Sequence, residues 1–153
     1  MIYVIAIGFL FQLLNNKINI MSCVLTILGK TLNVDELVKS TGILGFEKKY
    51  KGDIISVSRN KKLEYSYASI VISEADFNEL DLQIKETEDF LVKNMDNLKC
   101  IANTQGVDFA TINFGSDSNL NVENLTQSFF FPPSLIMLCG ELKLGLELTV
   151  YSF

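Results

Sequence analysis

The stretch from about Asn78 to Asn97 limits the possible folds more than any other part of the chain. Leu80, Ile84, Leu91, Met95 and Leu98 recur near the helical period with Phe77 and Phe90 alongside, while Lys85, Glu86, Glu88, Asp89 and Lys93 occupy the wetter side. A long helix with one apolar stripe needs an apolar surface to lie on, and the flanking segments read as the strands that supply it. Ser22 to Leu28 is the first strand, closed by the turn Gly29-Lys30-Thr31. Asn33 then caps a short helix from Val34 to Ser40. Asp35 and Glu36 fall in its first turn, where the helix dipole favours negative charge, and Gly42 lies just past its end. Ile54 to Val57 and Tyr65 to Ser73 flank the polar turn Arg59-Asn60-Lys61-Lys62 and read as an antiparallel hairpin.

Beyond the long helix, Gly106 introduces a strand from Val107 to Phe114, and Gly115 to Thr126 is a long loop rich in Asn and Ser. Gln127 to Phe131 reads as a strand halted by Pro132-Pro133, with Phe129-Phe130-Phe131 turning two rings inward and one out. Pro133 suits the first turn of a third helix running through Lys143, and Gly145 its termination. Leu146, Leu148 and Val150 alternate with Glu147, Thr149 and Tyr151, the pattern of a half-buried strand. The order β-α-β-β-α-β-β-α-β over residues 21–153 predicts a single α+β domain, an antiparallel or mixed sheet with helices mainly on one face. Its first six elements suit a ferredoxin-like unit.

Residues 1–20 stand apart as an apolar N-terminal extension, either a product of a misassigned start or an added element packed on the domain. Met1 to Leu14 is shorter than the ~20 residues of a membrane span, lacks a basic start and leads to no small-residue cleavage site. Membrane association is expected only if residues 1–14 act as an anchor.

Several segments together resemble the bacterial domain-of-unknown-function family 4279 over roughly Met21 to Tyr151. They are the turn Tyr50-Lys51-Gly52-Asp53, the strand Tyr65 to Ser73, the amphipathic helix ending at Leu98 and the hydrophobic pattern from Leu135 to Tyr151. A Trp that the resemblance implies near the third strand is absent, with Tyr65 or Tyr67 in its place. The resemblance implies an α+β fold and no established activity or catalytic residue.

The chain contains no histidine, which removes Ser-His-Asp and Cys-His nucleophile pairs and histidine zinc sites. Cys23, Cys100 and Cys139 have neither Cys-x-x-Cys spacing nor a histidine neighbour, and read as reduced thiols of a cytoplasmic protein. Ser58-Arg59-Asn60-Lys61 matches Ser-x-x-Lys but sits in an expected turn rather than on a helix. No phosphate loop, dinucleotide fingerprint or calcium loop is present, so neither cofactor nor metal is expected. A net charge of −5 opposes general attraction to nucleic acid or anionic membrane.

Two charge clusters remain. Glu86, Glu88 and Asp89 belong to a carboxylate-rich region around the start of the long helix, while Lys48, Lys49, Lys51, Lys61 and Lys62 gather with aromatic neighbours. The composition favours a non-catalytic protein-binding domain whose separated acidic and basic surfaces both contribute to partner selection, the acidic face foremost, a bacterial toxin-immunity protein being the sharpest form. A histidine-independent enzyme using carboxylates in a pocket is the alternative, followed by a nucleic-acid-binding module using the lysine cluster.

Overall fold

Strand β1 (Cys23–Gly29) is buried along its whole length because a strand flanks it on either side. In this computed structural model, which describes residues 22–56 and 61–152, β1 pairs antiparallel with β5 (Ser66–Ser73) and with β6 (Phe109–Asp117). The register sets Leu25 between Ile70 and Ile112, and Ile27 between Ala68 and Ala110, so the centre of one side of the sheet is apolar. The extension before Met21 and the residues Ser58, Arg59 and Asn60 lie outside the described residues.

Three helices bury their stripes in one core with those strands. Helix α1 (Val34–Thr41) starts where the Asn33 Oδ1 accepts from the Glu36 N–H at 3.2 Å, and it stops at Gly42, whose φ of 62° suits a residue without Cβ. Helix α2 (Leu80–Leu98) contributes Ile84, Leu91 and Leu98. Helix α3 (Pro133–Leu142) contributes Leu135, Cys139 and Leu142, packed with Leu25, Ile112 and Phe114. Each fully buried Leu, Ile or Phe contributes about 1.5–3 kcal/mol relative to exposure, which makes this core the main stabilising element.

The five-stranded sheet runs β2-β5-β1-β6-β7, with β2 (Glu47–Lys49) and β7 (Gly145–Tyr151) at its edges. β5 is inserted between β1 and β2, and β1 between β5 and β6, an interleaving of two split β-α-β units. β7 adds to this unit through α3 and runs parallel to β6. The fold is a single α+β domain with a mixed sheet.

Four sequence expectations need correction. Ile54 to Val57 does not form a hairpin with Tyr65 to Ser73: β3 (Ile54–Ser56) pairs with β4 (Lys61–Lys62) in a separate ribbon. Leu63 draws the chain away there, packing with Leu28 and Tyr67 in a small satellite cluster, and its N–H donates to the Asp53 carbonyl. Gln127 to Phe131 forms no strand, because β7 already occupies the outer side of β6 and the Phe131 ring turns inward onto Phe114, centroids 5.2 Å apart. Helix α3 ends at Lys143, left-handed at φ 56°, while Gly145 begins β7. Finally, Glu47–Lys49, to which the sequence pattern assigns no element, is the edge strand β2.

Candidate functional site

The lysine cluster does not form a single face. A strand turns successive side chains to opposite sides, so Lys48 and Lys49 diverge. Lys48 Nζ lies 2.5 Å from Asp35 Oδ1, and the Tyr50 hydroxyl donates to the same carboxylate at 3.1 Å. The hydrogen bond from Lys48, then that from Tyr50, holds the Asp35 carboxyl below its ordinary range, and the same contact raises Lys48. Lys49 meets Glu47 at 3.2 Å. Lys51 is in the exposed turn whose backbone N–H donates to Ser66 Oγ, and Lys61 and Lys62 project from the separate ribbon. Lys48 and Lys49 are thus already matched by carboxylates of the same chain.

The acidic residues of α2 are similarly divided. Asp89 pairs with Lys85 one turn earlier at 2.8 Å, and that contact raises the Lys85 amine. Glu88 turns toward α3, where Ser134 Oγ donates to its Oε1 at 2.5 Å. Glu86 is half-buried on the helix between them. Further along, Lys99 bridges Asp96 at 3.0 Å and Glu141 at 3.8 Å. Cations interleaved at this spacing shorten the reach of the acidic field.

Two buried polar residues of α2, overlooked in the sequence pattern, have structural work to do. Gln83 Nε2 donates to the Asp76 carbonyl at 3.0 Å and the Gly115 carbonyl at 2.9 Å, strapping the approach to α2 onto β6. Thr87 Oγ1 donates to the Gln83 carbonyl and stands 3.2 Å from the Cys23 thiol. Burial pushes Cys23 up to about 12 and Cys139 up to about 11, and raises Cys100. The thiolate is the nucleophilic form, so these groups are poor nucleophiles near neutrality. Among the described residues, no three His, Cys, Asp or Glu side chains are placed to hold a metal ion, and no helix is long and apolar enough to cross a membrane.

The connection from β6 to α3 leaves large apolar side chains exposed beside polar ones. Its polar side chains hold the backbone: Gln127 Nε2 donates to the Asp117 carbonyl at 2.8 Å while Gln127 Oε1 accepts from the Asn119 N–H at 3.0 Å. Asn121 Oδ1 accepts from both Glu123 N and Asn124 N at 2.8 Å, and the Ser118 N–H donates to the Tyr151 carbonyl at 2.7 Å. Several of its apolar side chains face water, with Val122 95% exposed, Leu125 80% and Phe130 73%. Leu120 and, on α3, Met137 are also exposed. Glu123 is the one charged residue between Ser118 and Pro132. A backbone fixed by side-chain amides that displays apolar groups is chemically suited to docking, since those groups stand to leave water with little ordering cost.

Phe130 follows the expectation of one outward ring, with Phe129 and Phe131 half-buried on either side. Leu120, Val122 and Leu125 escaped notice because the Asn and Ser around them make the segment read as an ordinary polar loop. Their irregular spacing in a loop of that length was the available signal. No family model, curated protein or solved structure matches the chain.

Proposed function

We propose that this chain is a protein-binding domain that docks its partner through the loop between β6 and α3. The observation that carries the reading is the group of exposed apolar side chains on that loop: Asn121 and Gln127 fasten the backbone while Val122, Leu125 and Phe130 stand in solvent. A catalytic reading finds less support, since the buried thiols are shifted away from reactivity and, on α2, Asp89 is engaged with Lys85 and Glu88 with Ser134. Within protein binding, a toxin-immunity protein is the form we favour, because neutralising a cognate toxin requires a stable complementary surface and no chemistry. Kinship with family 4279, carried by the turn Lys51-Gly52-Asp53 and the pattern from Leu135 to Tyr151, belongs to the same proposal.

Co-purification from the native host with quantitative mass spectrometry tests it. A stoichiometric protein should accompany the wild type, disappear with Leu125→Asp/Phe130→Asp and persist with Glu86→Lys/Glu88→Lys/Asp89→Lys. Absence of any stoichiometric partner would overturn the reading. Loss only with the charge-reversed variant would move the docking surface to α2.

A further inference from the structure

We propose that two copies of this chain associate through β7, continuing the sheet across a two-fold axis. Among the described residues no strand pairs with the outer side of β7, so from Gly145 to Val150 its outward N–H and C=O groups form a template. Proteins usually guard such an edge with lysine, proline, a bulge or shortness. β7 has none of these, whereas β2 at the opposite edge is three residues long and consists of Glu47, Lys48 and Lys49.

The sequence of β7 is chemically matched to itself when reversed. Centring an antiparallel pair on Leu148 sets Leu146 opposite Val150 of the second copy and Glu147 opposite Thr149, so apolar residues meet apolar ones and no like charges oppose. Val150 explains itself in this register. It lies on the helix side of the sheet in register with the buried Ser116, yet is 44% exposed where Leu146 of the second copy would cover it.

Helix α3 extends the same surface. Its Ser134 and Glu141 face α2, through Glu88 and Lys99, and its Leu135, Cys139 and Leu142 enter the core. The helical period then places Ile136, 52% exposed, on the flank away from α2, beside the outer side of β7. The charged β2 edge makes a poor complement for β7, so the pairing is self-complementary and closes as a dimer rather than growing into a filament.

Sedimentation velocity on the full chain across a concentration series is the test. The wild type should move from 17.2 kDa toward twice that mass. Val150→Lys and Ile136→Glu, both at exposed positions, should each weaken the dimer about tenfold or more, with unchanged circular dichroism. Leu125→Asp/Phe130→Asp should leave dimerisation intact, which separates this inference from the docking role of the loop. Hydrogen exchange of the unaltered protein supplies a second reading: β7 amides should gain protection as concentration rises while β2 amides do not. A 17.2 kDa species at every concentration, a dimer that survives both edge substitutions, or protection arising away from β7 and α3 would overturn the proposal.

Discussion

At one edge of the sheet β2 offers three residues, all charged; at the other β7 offers seven, of which only Glu147 carries charge. The β2 edge is held by ion pairs at the surface, Lys48 with Asp35 and Lys49 with Glu47. The β7 edge is fastened from within, by the Asn113 Nδ2 donating to Thr149 Oγ1 at 2.8 Å and by the Tyr151 ring stacked on Phe77 at 4.8 Å. The difference teaches that guarding an edge and anchoring it are separate tasks. Charge discourages a second chain from pairing at β2 while adding little stability, whereas β7 is firmly anchored and poorly guarded.

The largest expected effect comes from removing the guard. Glu47→Thr/Lys48→Thr/Lys49→Val should give the sheet a second receptive edge, and light scattering should then show growth with concentration beyond a dimer. Scattering that stays at the wild-type level would break the contrast between the edges. Next in size is Gly115→Ala. A Cβ there would stand 2.5 Å from the Phe77 ring that covers Tyr151, so the anchored edge should lose about 1–3 kcal/mol in urea unfolding. Asn113→Ala should cost about 0.5–1.5 kcal/mol by the same measurement, the usual worth of one hydrogen bond.

The smallest effect belongs to the ion pair at β2 and concerns pH. Asp35 titrates below its ordinary 3.8 when folded because of Lys48 and Tyr50, so its contribution is complete above that ordinary value and fades as pH falls through the lower folded value. Lys48, raised by the same pair, contributes fully below its ordinary 10.5 and loses that contribution as pH rises through the higher folded value. Lys48→Met should therefore move the Asp35 midpoint upward in a carboxyl NMR titration with scarcely any change in unfolding midpoint near neutrality. A midpoint that stays in place would show that Tyr50 alone holds the carboxylate.

Local signals carried much of the fold into the sequence. The stripe of α2, the Asn33 cap and the alternation of β7 are set by neighbours within a few residues, and each is found close to where the pattern places it. Pairing partners are a different matter. Ile54 and Tyr65 look adjacent along the chain, but Leu63 finds Leu28 and Tyr67 instead, a choice fixed by where β1 lies. Gln127 to Phe131 has the composition of a strand and lacks an edge to join once β7 is in place. The charged candidates were legible as residue types, yet their satisfaction by Asp35, Glu47, Lys85 and Ser134 depends on tertiary contact. The loop between β6 and α3 was least legible, because only the folded backbone shows which way Val122 and Leu125 point.

The parallel pairing of β6 with β7 also sets an order of events in time. β6 meets β1 through an antiparallel register, but its outer neighbour arrives only after the chain has made α3 and reversed direction. A folding chain in which the residues beyond Asp117 have not yet docked therefore displays the full length of β6 as an open edge, with Phe114 still waiting for Phe131 and the side chains of α3. Such an intermediate resembles the conditions under which unpaired strands capture other chains. The interval before α3 and β7 dock leaves that edge open to other chains, and a substitution that slows their docking should cost more soluble product than one confined to β3 and β4.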